Sequence, residues 1–174
     1  ILLTSAFYLL FVSLQDFIKK RYNNLAQSTS HLGFSLLILS ILLNNFFSSE
    51  VITNLKIGEI YENNKIKINF EKIYEKNEQN FKSIVGQFNV QNSKGEFEIL
   101  NPELRIYNMP NIITSEADIK MNLFEDKFMT MNLVQNQEIF NIRYQVKPFM
   151  LWIWISVIMI SLGGFINLFK KNEK

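Results

Sequence analysis

The sequence predicts an α-helical membrane protein with a small antiparallel β domain, sandwich or barrel, inserted between two of its spans on the external side. Three observations predict it. Residues 1–15, 31–49 and 148–169 contain no Asp, Glu, Lys or Arg, whereas residues 50–147 are densely charged. Within that charged region apolar and polar residues alternate with the period of a strand. The basic residues outside it fall in two clusters, Lys19-Lys20-Arg21 and Lys170, Lys171 and Lys174. The mean hydropathy of +0.04 over 174 residues is therefore the average of two unlike materials. Composition also excludes several classes. Without cysteine there is no disulfide framework and no thiolate site, and a single histidine excludes a zinc site built from several imidazoles. A net charge of +2 without an extended basic run gives no footprint for nucleic acid.

The first apolar run, ILLTSAFYLLFVSLQ, is too short to cross a bilayer alone and starts at Ile1. It is expected to be the end of a truncated transmembrane helix over 1–15, the chain being a fragment cut inside a membrane span. A cytoplasmic loop over 16–29 is expected next, because Lys19, Lys20 and Arg21 mark the inner side. Ser30–Ser49 has the ~20 residues a helix needs to span ~30 Å of hydrocarbon. Residues 50–147 then form the external, periplasmic domain. Its strand signals are KIKINFEKIY from Lys65 with a bulge near Glu71, then FKSIVGQFNV, EFEIL, LRIYN, KFMTMNLV and EIFNIRYQV. Turns are expected at Glu62-Asn63-Asn64, Lys76 to Asn80, Gln91 to Gly95 and Met109-Pro110-Asn111. Pro148–Phe169 is the second complete span, with Trp152 and Trp154 near its start as interfacial anchors, and residues 170–174 are a cytoplasmic tail.

Few residues carry chemistry. His31 is the lone histidine, at the start of a span, where imidazole can ligate heme iron or simply reach the interface and hydrogen-bond a neighbouring helix. Helical spacing puts Ser35, Ile38, Leu42 and Asn45 near its face, which suits a porphyrin wall or lipid contact equally. Gly163-Gly164 offers close approach between helices. In the β domain, Glu103 with Arg105 at spacing two reads as a charge pair on one strand face. Glu116 with Asp118 reads likewise as two carboxylates sharing a face, suited to acid/base work, a hard cation or plain solvation. There is no Gly-rich phosphate loop, nucleophile elbow or zinc spacing.

Taken in order, SHLGF around His31, Gly58-Glu59, Asn80-Phe81, LNPELRIY from Leu100, TSEADI from Thr114, Lys147-Pro148-Phe149 with Trp152-Ile153-Trp154, and Met159 through Gly163-Gly164 closely resemble the C-terminal part of the CcmF family. These are heme lyase components of cytochrome c maturation. The run Glu125–Asn132 is a looser version of the family's strand, and Ser156 stands where a glycine is expected. The resemblance implies a multi-pass protein of the bacterial inner membrane, or of the mitochondrial one, that holds a transmembrane heme b. It implies attachment of heme to apocytochrome c through thioether bonds. The partners implied are the heme chaperone CcmE, a CcmH-type apocytochrome-delivery subunit, apocytochrome c and quinol as electron donor. On the HLG context it assigns His31 as an axial ligand of heme b, the other family histidines preceding Ile1 in sequence. No catalytic residue is expected in this fragment, which alone would be inactive. A split-gene product is the other origin for so short a piece. The competing class is a noncatalytic membrane-anchored scaffold or sensor, with a protein-binding β domain and an interfacial His31.

Overall fold

The computed structural model describes residues 1–19, 25–92, 95–134 and 138–170. These divide into two compact units. The first comprises Ile1–Ser48, Met121–Asp126 and Lys147–Lys174, and the second Ser49–Lys120 and Lys127–Val146.

The first unit is built on three helices: α1 (Leu2–Ile18), α2 (Leu25–Phe47) and α3 (Met150–Lys170). Helices α2 and α3 are both long and apolar enough to cross a membrane. Helix α1 is shorter. Two boundaries differ from the sequence reading of a loop over 16–29. Helix α1 runs past Gln15 because Phe17 and Ile18 extend its apolar run, so Asp16 lies inside the helix, and buried. Helix α2 begins at Leu25, not Ser30, since Leu25–Thr29 carries no charge or breaker, and Thr29 Oγ1 donates back to the Leu25 carbonyl, 2.8 Å. His31 is therefore in the second turn rather than at the helix start. Of the two basic clusters, Lys20, Arg21, Lys171 and Lys174 lie outside the described residues.

Helices α2 and α3 pack through small residues. A Cβ at Gly33 would stand 2.9 Å from Met159 Cβ and 3.0 Å from the backbone of Ser156 and Ile160. One at Gly163 would stand 2.0 Å from Ser30 Oγ and 2.6 Å from the Ala26 carbonyl oxygen. Real Cβ atoms do not approach that closely, so glycine is required at both. Ser156, in the position where a glycine is expected, is fully buried, and its hydroxyl donates to the Trp152 carbonyl, 2.6 Å. Where α2 ends and α3 begins, Asn44 Nδ2 donates to the Pro148 carbonyl, 2.6 Å.

The second unit is a two-layer β-sandwich. Strands β1 (Ser49–Leu55), β8 (Asp118–Lys120), β9 (Glu125–Leu133) and β10 (Phe140–Pro148) form a four-stranded sheet in the order β1-β10-β9-β8. Strands β2 (Ile60–Glu62), β3 (Ile66–Asn77), β4 (Phe81–Asn92), β6 (Glu103–Tyr107) and β7 (Ile112–Glu116) form the other sheet in that order, while β5 (Phe97–Leu100) also pairs with β4. Alternation along each strand sends one set of side chains between the layers. The core so formed contains Ile68, Phe70, Phe88, Val90, Leu100 and Leu104 from the larger sheet, and Leu55, Met129, Met131, Phe140, Ile142 and Tyr144 from the smaller. Phe70 is its centre, stacked on Phe88 at 4.3 Å and edge-on to Phe140 at 5.5 Å. Each such ring contributes ~1.5–3 kcal/mol by leaving water.

The expected bulge is present. Register along β3 and β4 passes from Phe70↔Phe88 to Lys72↔Gln87, leaving Glu71 as the extra residue. Its carboxylate accepts from Gln87 Nε2, 2.6 Å, and from Asn89 Nδ2. The turn after β2 forms because Asn63 Oδ1 accepts from the amides of Lys65 and Ile66, both 2.8 Å. At the Gln91–Gly95 turn, Ser93 and Lys94 lie outside the described residues. Strands β1, β2, β7 and β8 add to the six the alternation signalled.

Candidate functional site

His31 stands at the edge of the α2–α3 seam. A groove of about 330 Å³ opens there, lined by Ala26, Gln27, Ser30, His31, Gly163, Gly164 and Asn167. The seam is set by Gly163, which lets α3 touch the backbone of α2, while the next residue, Gly164, has nothing within 4 Å of where a Cβ would be. The imidazole is exposed beside this bare stretch of helix. At Gly164 a flat apolar group can approach the helix backbone closely, and imidazole nitrogen is a good axial donor to heme iron. The donor set fits one axial position.

The companions expected on the His31 face are not gathered around it. Ser35 is fully buried, donating its hydroxyl to the Leu32 carbonyl at 2.9 Å, whereas Asn45 is exposed. A 100° step per residue carries positions four and fourteen residues from His31 to opposite edges of one broad face, and the neighbouring helices bury only part of it. What sequence reasoning missed is Gly164 as an open surface next to a buried Gly163. The only signal was the Gly-Gly pair itself, which does not say which glycine faces the partner.

In the second unit, the Glu103–Arg105 pair forms as expected, at 3.2 Å from Nε to Oε2. Ser83 Oγ donates to the same carboxylate at 2.9 Å, and Lys76 approaches it at 3.5 Å. Partial burial pushes the Glu103 pKa up, but the hydrogen bonds from Ser83 and Arg105 and the charges of Lys76 and Arg105 outweigh it. The net direction is below the usual carboxylate value. The Arg105 guanidinium also lies over the Phe81 ring, 5.0 Å from its centre, and Phe81 meets Tyr107 at 5.3 Å.

Glu116 and Asp118 do not share a strand face. The chain changes sheets at Ala117: Glu116 ends β7 in one layer, and Asp118 opens β8 in the other. Glu116 accepts from Thr114 Oγ1 at 3.1 Å, and Asp118 Oδ2 from the Asn101 amide at 2.6 Å. Both carboxylates are thus used in structural bonds. Among the described residues no three of His, Asp and Glu gather as a metal site.

Comparison with known proteins agrees with this architecture. The family described as the CcmF C-terminal beta-sandwich matches residues 46–148. The cytochrome c-type biogenesis protein NrfE of Haemophilus influenzae is 26% identical and aligns with the whole chain, which covers 28% of that protein. The cytochrome c-type biogenesis protein CcmF of Escherichia coli K12 is 26% identical over 140 residues, 80% of this chain and 22% of its own length. In Pseudomonas aeruginosa CcmF the identity is 25% over 135 residues, 78% of the chain and 20% of the relative. The chain thus spans about a quarter of the length of the curated relatives it matches. A solved structure titled cytochrome c heme lyase CcmF superposes with a TM-score of 0.68 at 15% identity, over 90% of this chain and 27% of that one. The fold thus recurs over nine-tenths of the chain in a solved structure, and the chain belongs to the CcmF C-terminal β-sandwich family.

Proposed function

We propose that this chain is the C-terminal part of a cytochrome c maturation protein, in which α2 and α3 cross the membrane and His31 is an axial ligand of a transmembrane heme b. The observation that supports this most directly is the groove at the seam, where the chain's one imidazole stands beside the bare backbone of Gly164. When bound there, heme would supply one-electron chemistry at iron, with its potential set by the axial ligand and its dry surroundings. The chain's own residues hold and orient. Ser30, Gly33 and Gly163 keep the two helices in close contact, and α2 presents the His31 ring at the groove mouth. Apolar side chains exposed along α2 and α3, such as Phe34, Ile41, Ile158 and Phe165, suit a hydrocarbon surround that excludes water.

In this reading the complete protein joins heme to apocytochrome c by thioether bonds, in the bacterial inner membrane or its mitochondrial counterpart. CcmE delivers heme, a CcmH-type subunit presents apocytochrome and quinol supplies electrons. The β-sandwich is a docking or supporting platform on the external side. Supporting that assignment, Glu71, Glu103, Glu116 and Asp118 are all engaged in bonds that hold the sandwich itself.

In membranes from cells making cytochrome c, His31→Ala should abolish the heme b Soret and α bands of the purified protein and stop holocytochrome production, with partial recovery of the bands on adding imidazole. Unchanged bands and cytochrome yield would show that His31 is not a ligand. That outcome would favour the scaffold reading.

A further inference from the structure

The segment joining β8 to β9, Met121-Asn122-Leu123-Phe124, is apolar at three of four positions, and those side chains are 78%, 52% and 61% exposed. It is held in place with its apolar side chains outward. Trp152 Nε1 donates to the Leu123 carbonyl at 2.9 Å, and the Phe149 amide to the Phe124 carbonyl at 2.8 Å. The rings of Phe124 and Phe149 meet edge to face, 6.5 Å apart at 78°. Asn122 donates its amide to Asp126 Oδ1, 3.2 Å. Phe149 has φ 61°, a left-handed conformation that an aromatic residue adopts only when its surroundings impose it. The hydrogen bond and ring contact from Phe124 are two such constraints. At the same end of the helix pair, where Asn44 bonds to Pro148, α2 finishes in Phe46 and Phe47, 61% and 62% exposed. Trp154 is 63% exposed one turn into α3.

We propose that Met121–Phe124 is a membrane-interface anchor, whose Met121, Leu123 and Phe124 side chains enter the boundary between lipid headgroups and acyl chains beside Phe46, Phe47 and Trp154. The inference rests on the reading that α2 and α3 span the bilayer. The lipid boundary is the occupant favoured because the patch is bonded to the first turn of α3, one of those two helices, where a tryptophan tethers it by its indole N–H. Amphipathic rings concentrate at that level in membrane proteins. Three apolar side chains fixed in water would instead form a costly exposed patch.

The absence of cysteine makes the test direct. Leu123→Cys, Met121→Cys, Ile158→Cys and Glu75→Cys are each made in the full chain, labelled with an environment-sensitive fluorophore and reconstituted in phosphatidylcholine vesicles. The vesicles carry nitroxide lipids labelled either near the headgroup or near the acyl terminus, and iodide serves as the aqueous quencher. Labels at 123 and 121 should be quenched several-fold more by the headgroup-proximal nitroxide than by iodide, the label at 158 by the deep nitroxide, and that at 75 by iodide alone. Deep quenching at 158 with iodide quenching at both 121 and 123 would overturn the anchor, leave the spanning helices intact and reassign the patch to a protein partner. Iodide quenching at 158 would overturn the spanning reading, and the anchor with it.

Discussion

The two units bury opposite kinds of residue. Among the described residues of the helical unit, those buried are Ala6, Asp16, Ala26, Ser28, Gly33, Ser35, Ser40, Asp126, Pro148, Ser156 and Gly163, with Leu39 the one large aliphatic. Many of its large apolar side chains face outward, Phe165 at 60% and Ile158 at 58% exposed. In the sandwich Phe70, Phe88, Ile68 and Ile142 are fully buried between the layers, although Phe97, Ile113 and Ile52 stand exposed on its outside among the charged residues. Large apolar side chains thus make the core of one unit, and small residues make the seam of the other. In the reading that α2 and α3 span the bilayer, what decides between them is the surrounding medium. Where water surrounds a unit, burial of apolar area drives the packing. Where hydrocarbon does, apolar burial gains nothing, and close backbone approach through small residues takes over.

The comparison can be broken first in the sandwich. Phe70→Ala removes the ring that both Phe88 and Phe140 contact, and should cost ~3–5 kcal/mol, read as a fall in the denaturant midpoint of the β-sheet signal. The corresponding outward ring in α3, Phe165→Ala, should leave that midpoint unchanged.

A smaller effect is expected at the helix seam. Gly163→Val forces a side chain into Ser30 and the Ala26 carbonyl, and should cost ~1–3 kcal/mol, measured as lost thermal stability of the detergent-solubilised chain. Gly164→Ala enters open space and should change stability by no more than ~0.5 kcal/mol. Equal effects at the two glycines would mean that the seam does not run through Gly163.

The smallest effect concerns charge. The Glu103 carboxyl titrates below its ordinary 4.5 in the folded state, so its contribution is complete above the unfolded value and is lost as pH falls through the lowered folded one. Stability of the sandwich should therefore decline in acid below about pH 4.5. Glu103→Gln should remove that part of the decline and cost ~1 kcal/mol at neutral pH, since Ser83 and Arg105 lose a charged acceptor. An acid profile that is the same in both proteins would assign the decline to other groups.

Local pattern made some of this legible. The slip in alternation at Glu71 is the bulge, and the two uninterrupted apolar runs are α2 and α3, because both signals lie within a few residues of one another. Features that depend on distant partners were not legible. Ala117 carries no mark of the change of sheet, since β7 is placed by β6 and β8 by β9. Met121–Phe124 reads as part of the β domain, although its bonds go to Phe149 and Trp152 at the head of α3, more than twenty residues away. The candidate site shows the same division. His31 was evident as the one histidine, but its position in the second turn, and the open face of Gly164, follow from where α2 begins and how α3 leans on it.

The contacts at Gly33 also limit how the seam can change. A larger residue there meets Met159 Cβ, the Ile160 amide nitrogen and the Ser156 carbonyl oxygen, two of them main-chain atoms. No exchange of one side chain on the facing helix removes main-chain atoms, and trimming Ser30 in front of Gly163 would still leave the Ala26 carbonyl. Compensating pairs of substitutions are therefore closed to this seam. Its glycines can be altered only by moving the helices apart, and the groove beside His31 would change with them.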